Sequence, residues 1–217
     1  MTSLIPIFFT SLVIGFSGAV MPGPLSTLTL KESLGRGRWA ALRLSSGHSF
    51  CELLMVCALA LGLSRFLEGD PVVGAVGLIG GAILIWMGAG ALRQKRPESN
   101  AADGSGPIGR ENNLLLGGAA VTVANPYWFV WWLTVGLKLT LDAARVGVAG
   151  VVAFYFGHIL ADFLWLGSVG FLVGWRRDLF SGAIYQRIIQ ACGLFLVVFG
   201  LLFISHGGRL VHSAVVR

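Results

Sequence analysis

Six apolar stretches alternate with short polar ones along the 217-residue chain: Leu4–Leu30, Leu44–Leu63, Val72–Leu92, Leu114–Leu137, Gly147–Gly174 and Ile188–Ile204. A helix needs about 20 apolar residues to cross hydrocarbon. The pattern therefore predicts an all-α membrane protein with six transmembrane helices. The one long polar interruption, Arg93–Asn113, carries Pro97, Gly104, Ser105, Gly106 and Pro107 among mixed charges. Such a composition forms no core and reads as a mobile linker. It divides the chain into a first three-helix unit (1–92), a linker (93–113) and a second three-helix unit (114–217).

The two units carry a common signature. The second stretch reads Gly47-His48-Ser49-Phe50-Cys51-Glu52 and the fifth reads Gly157-His158-Ile159-Leu160-Ala161-Asp162, both Gly-His followed four positions on by an acid. The first stretch of each unit holds a helix breaker, Pro22-Gly23-Pro24 in one and Asn125-Pro126 in the other. Because three is odd, a second copy of a three-helix unit must insert upside down. The expected architecture is two inverted three-helix repeats, the arrangement of many secondary transporters.

Composition supports a lipid environment. Hydrophobic residues make up 55% of the chain and charged residues 12%, about half the share usual in a soluble domain. The 31 glycines suit helices that approach closely in a membrane. The net charge of +6 does not point to nucleic acid, because Lys and Arg cluster between the apolar stretches. Eleven of them (Lys31, Arg36, Arg38, Arg43, Arg93, Lys95, Arg96, Arg110, Arg176, Arg177, Arg187) fall after stretches one, three and five. Five (Arg65, Lys138, Arg145, Arg209, Arg217) fall on the other side. The richer side should be cytoplasmic, which turns both termini outward. No Lys or Arg precedes Lys31, so the N-terminal stretch reads as a retained span and not as a secretory signal. Cys51, Cys57 and Cys192 form no CxxC pair and read as small buried hydrophobes.

Four ionisable residues interrupt the apolar stretches: His48 and Glu52 in the second, His158 and Asp162 in the fifth. Each pair is spaced i, i+4 and so shares one helix face. An acid at the bilayer centre costs roughly 2.5–3.5 kcal/mol on insertion scales, so such residues face an interior or a wet cavity and mark function. The plainer alternative is hydrogen-bonding glue between helices. Low dielectric disfavours a charged carboxylate, which makes Glu52 and Asp162 candidates for proton exchange or for docking a substrate cation, with His48 and His158 orienting or shuttling. The same four side chains could also ligate a divalent ion. Cys51 sits one residue off the His–acid face, however, and no acidic or His-rich loop feeds the site, so no metal centre is expected.

The breakers Pro22, Gly23, Pro24, Asn125 and Pro126 should open helix ends toward a cavity, where freed backbone groups can meet ions or substrate. A plain proline kink is the alternative. Trp128, Trp131 and Trp132 share a helix face and could hold an ammonium by cation–π attraction. An interfacial or lipid-facing aromatic belt explains them slightly better. The GxxxG pairs Gly77/Gly81 and Gly170/Gly174 should pack helices within the chain, and they leave room for a homo-oligomer. Gly15-Phe16-Ser17-Gly18 matches the GxSG of rhomboid-type intramembrane proteases, but it lies in the first stretch instead of a middle one. An intramembrane enzyme is thus the last alternative. The chain has no P-loop, and neither a cofactor nor an enzymatic activity is expected.

With Pro22-Gly23-Pro24 followed by Gly35-Arg36-Gly37, Asn125-Pro126, and acids at Glu52 and Asp162, the chain resembles the LysE/RhtB family of amino-acid exporters nearly end to end. The repeated Gly-His-x-x-x-acid and the run Asn125-Pro126-Tyr127-Trp128 with Trp131-Trp132 look like a less characterised branch. The resemblance implies a multi-pass protein of the prokaryotic plasma (inner) membrane. It also implies export of an amino acid or similar small polar metabolite, driven by a cation gradient, here taken to be protons. Relatives in the wider superfamily handle metal ions, which keeps a divalent-metal exporter as the alternative. The expected partners are a small-molecule substrate and the lipid bilayer.

Overall fold

Pro22 and Pro24 bring no amide hydrogen to the chain, and the first apolar stretch breaks there. In the computed structural model, which describes residues 4–62, 70–93, 113–176 and 183–215, helix α1 (Leu4–Ala19) ends before them. Helix α2 (Pro24–Arg36) leaves at 79° to it, with Pro24 in the first helical turn where no amide partner is needed. The apolar stretch Leu4–Leu30 is thus a bent pair, broken at the expected breaker Pro22-Gly23-Pro24. The expected loop 31–43 is corrected. Lys31–Arg36 completes α2, helix α3 (Trp39–Ala60) starts almost at once, and Gly37, with φ of 89°, turns the chain between them. Glu32 is buried and its Oε2 lies 2.8 Å from Arg36 Nε, so polar residues that read as loop form a packed helix end.

The remaining described elements are α4 (Asp70–Arg93), α5 (Leu114–Val123), α6 (Pro126–Trp131), a π-helical turn (Trp132–Gly136), α7 (Leu137–Ala144), α8 (Val148–Trp175) and α9 (Ala183–Val215). The described residues are helical throughout, without a strand. The fourth apolar stretch is also bent, by 64° at Asn125. There the Asn125 side chain accepts from the Tyr127 amide and caps α6, while Pro126 occupies its first position. By length and hydropathy, α8 and residues 186–213 of α9 can each cross a membrane, and each bent pair can act as one further span. The proposed linker 93–113 lies almost entirely outside the described residues.

Small residues set the packing. Gly74, Gly81 and Gly88 on α4 face Gly207, Gly200 and Gly193 on α9, one glycine every seven residues on each antiparallel helix. A Cβ on Gly81 would lie 2.6 Å from the Gly200 carbonyl oxygen, and one on Gly200 the same distance from that of Gly81. Only glycine permits this approach. Elsewhere α1 packs on α8, α3 packs on α5, and α3 packs on α8. A Cβ on Gly157 would overlap the Phe8 carbonyl, and one on Gly47 would overlap that of Leu115. The glycines preceding the two histidines thus let α8 and α3 press against α1 and α5. Ile5, Val13, Ile79, Trp86, Phe156 and Leu201 face outward, an apolar exterior suited to lipid. Trp128, Trp131 and Trp132 are buried at 8%, 6% and 0% exposure, which overturns their reading as a lipid-facing belt.

Candidate functional site

The four ionisable side chains singled out in the apolar stretches meet at one point. Gly47 and Gly157 set α3 and α8 deep among their neighbours, and Tyr155 Oη ties the two helices together by donating to the Ser49 carbonyl at 3.0 Å. One turn along, His158 Nε2 lies 3.1 Å from Glu52 Oε1, and His48 Nε2 lies 3.2 Å from the same oxygen. Asp162 closes the cluster, with Oδ1 3.9 Å from His48 Nε2 and Oδ2 3.9 Å from His158 Nε2. All four are at most 9% exposed.

Hydrogen bonding assigns different roles to the two histidines. His48 Nδ1 lies 2.8 Å from Thr122 Oγ1, and Thr122 donates its own proton to the Gly118 carbonyl at 2.7 Å. Thr122 can then only accept from the ring, so His48 carries a proton on Nδ1. His158 Nδ1 has no hydrogen-bond partner among the described residues and presses against Gly15, whose Cβ, if present, would lie 3.0 Å away. Its proton therefore sits on Nε2 and is donated to Glu52 Oε1. With His48 Nδ1 already protonated, the short contact between His48 Nε2 and Glu52 Oε1 requires one more proton, held on either partner.

Aromatic rings wall this cluster. Trp131 stacks on the His158 ring at 4.7 Å and 26°, Phe154 lies nearly parallel to it at 6.1 Å, and Trp132 meets it edge-on at 5.1 Å. The π-helical turn lets Trp131 and Trp132 both face inward, and Gly136 leaves space for their rings. The cluster opens on a cavity between the two bent helix pairs and helices α3 and α8. Pro22, Gly23, Asn125, Trp128, Trp131 and Trp132 line it together with all four ionisable residues. Pro24 and Pro126 do not. Pro24 is buried in the first turn of α2, and Pro126 packs against Gly80. Thr122 and Phe154 were not read as site residues. Thr122 is the one polar side chain in the apolar run 114–124, and Phe154 stands one turn before His158.

His48, Glu52 and Asp162 each offer a ligand atom within 4.8 Å of the others, a donor set that a divalent cation could use as cargo. The GxSG motif has a different use. Ser17 Oγ donates to the Ile14 carbonyl at 2.6 Å and accepts from Trp131 Nε1 at 3.3 Å, so its hydroxyl is engaged by backbone and indole instead of a catalytic base.

An all-helical protein with apolar spans, two broken helices and a buried ionisable cluster has the form of a membrane transporter. The chain belongs to the LysE type translocator family, which matches residues 16–207. It is 28% identical to the chemotactic transduction protein ChpE of Pseudomonas aeruginosa, over 89% of this chain and 95% of that protein. It is 28% identical to the arginine exporter protein ArgO of Klebsiella pneumoniae and 27% identical to that of Escherichia coli, each over 84% of this chain and 85% of the exporter. No solved structure matches the chain.

Proposed function

We propose that the chain exports an amino acid or a similar small polar metabolite across the prokaryotic inner membrane, driven by the proton gradient. The observation that carries this reading is the meeting of His48, Glu52, His158 and Asp162 at the wall of one cavity. A proton held between His48 Nε2 and Glu52 Oε1 can be exchanged as the cavity opens to one side and then the other. The naming of ArgO as an arginine exporter supports an amino-acid cargo. The name of ChpE speaks of chemotactic transduction, but a cavity between broken helices, walled in part by four buried ionisable side chains, favours transport.

In this reading the chain crosses the membrane six times as two inverted repeats, 1–92 and 114–217, joined by a cytoplasmic linker at 93–113, with both termini outside. The packing supports it: the first helix of each unit lies on the second helix of the other, α1 on α8 and α5 on α3. Gly157 and Gly47 make equivalent contacts with Phe8 and Leu115.

A divalent-metal exporter is the second reading, favoured by the convergence of His48, Glu52 and Asp162. Transport in inverted vesicles holding the full chain, screened with amino acids and with Zn²⁺, Mn²⁺, Co²⁺ and Ni²⁺, separates the two. The amino-acid reading expects uptake of at least one amino acid that collapses with a protonophore. Uptake of a metal alone would replace it.

A further inference from the structure

Three of the helices that begin near a breaker or loop differ at their first turn. Asn113 accepts from the Leu115 amide at the start of α5, and Asn125 accepts from the Tyr127 amide at the start of α6. The 13-residue helix α2 begins at Gly23, which has no side chain to do this. Thr27 N–H bonds to the Gly23 carbonyl at 3.0 Å, while the Leu25 and Ser26 amides have no acceptor assigned among the described residues. Gly23, Leu25 and Ser26 line the cavity. An uncapped helix start offers amide hydrogens and the positive end of the helix dipole to an anion.

Two further observations in the same cavity point to a ligand. Trp128 and Trp132, 8% and 0% exposed, are among the residues lining it, and their indole N–H groups lack acceptors among the described residues. Glu52 Oε2 and Asp162 Oδ2, on residues 2% and 3% exposed, lack donors in the same way. The residues that wall the cavity thus carry unmatched donors and unmatched acceptors together.

Resting on the amino-acid reading above, we propose that this cavity is a zwitterion site. The substrate carboxylate binds the open start of α2 at Gly23–Ser26, aided by the tryptophan N–H groups, and its ammonium binds Glu52 and Asp162. The site therefore selects molecules bearing both charges over simple amines.

Gly23 permits a direct test. Its backbone is extended (φ −144°, ψ −178°), a conformation open to any residue. A Cβ there would lie 3.7 Å from the Met21 carbonyl oxygen and 3.9 Å from Asn125 Nδ2, which is ordinary contact. Gly23→Asp or Gly23→Ser would place a side-chain oxygen on the α2 amides and cap the helix from within. The measurement is binding to the purified full-length chain of L-arginine and L-leucine, each compared with the amine lacking its carboxylate, agmatine and isoamylamine. The wild type should bind at least one amino acid roughly tenfold or more tighter than its amine, the value of a charge-assisted hydrogen bond. Gly23→Asp and Gly23→Ser should reduce the amino acid to the level of the amine and leave the amine unweakened. Gly35→Asp, at a position with no atom within 4 Å of its Cβ, should bind as the wild type does. Equal binding of amino acid and amine by the wild type would overturn the zwitterion site and spare the exporter reading. So would undiminished amino-acid binding in a folded Gly23 variant. If neither amino acid binds, both readings fall for these cargoes. Should Gly23→Asp fail to fold, Gly23→Ser and the wild-type amine comparison still decide.

Discussion

Glu52 Oε1 accepts from His158 Nε2 at 3.1 Å across 106 residues of sequence, while His48 Nε2 approaches the same oxygen at 3.2 Å. One carboxylate oxygen therefore joins α3 to α8 and holds two imidazoles that are not equivalent. His48 is anchored through Nδ1 to Thr122, and His158 is pressed on Gly15 with Nδ1 unpaired among the described residues.

Thr122 should act as a positioning residue for His48. Thr122→Val removes the acceptor of the His48 Nδ1–H and leaves a buried donor unpaired, at a cost of about 1–3 kcal/mol. The expected outcome is a changed pH profile of transport at near-normal membrane insertion, with Thr122→Ser restoring the wild-type profile. An unchanged profile in Thr122→Val would remove Thr122 from the account.

Glycine substitutions should separate packing from site. Gly47→Ala places a methyl group into the Leu115 carbonyl and should lower the melting temperature in detergent, at a cost of about 1–3 kcal/mol or more. Gly35→Ala meets nothing within 4 Å and lies in a helix, so it should be neutral or slightly stabilising. Equal stability of the two variants would contradict the close packing of α3 on α5.

How much of this was readable before the fold was known differs by residue. His48, Glu52, His158 and Asp162 stood out because ionisable groups are expensive in an apolar stretch. Their i, i+4 spacing gave the shared face, and Pro22-Gly23-Pro24 and Asn125-Pro126 marked the two bends. Thr122 passed unnoticed, because a threonine hydroxyl can satisfy itself on its own helix and carries no charge. The tryptophans were misplaced because amphipathic rings suit a membrane interface as well as an interior, and local spacing does not choose between them. Lys31–Arg36 read as loop from its polarity, but Glu32 and Arg36, one turn apart, pair and let the helix end stay packed.

The topology rests on the distribution of Lys and Arg. In a chain with Cys51, Cys57 and Cys192 replaced, Asp103→Cys should react with a membrane-impermeant thiol reagent only from the cytoplasmic side. Labelling from outside would invert the assignment, placing both termini in the cytoplasm.

In the proposed function, the paired carboxylates couple protons to transport instead of only fastening helices. Glu52→Gln and Asp162→Asn keep shape and most hydrogen bonding but remove titration. In proteoliposomes carrying the full chain, the decisive measurement is substrate transport driven by an imposed pH gradient, compared with substrate exchange at equal pH. Each variant should lose gradient-driven transport, while exchange survives in at least one of them. Wild-type, pH-dependent transport in both variants would contradict it and leave the cluster a structural fastening of α3 to α8.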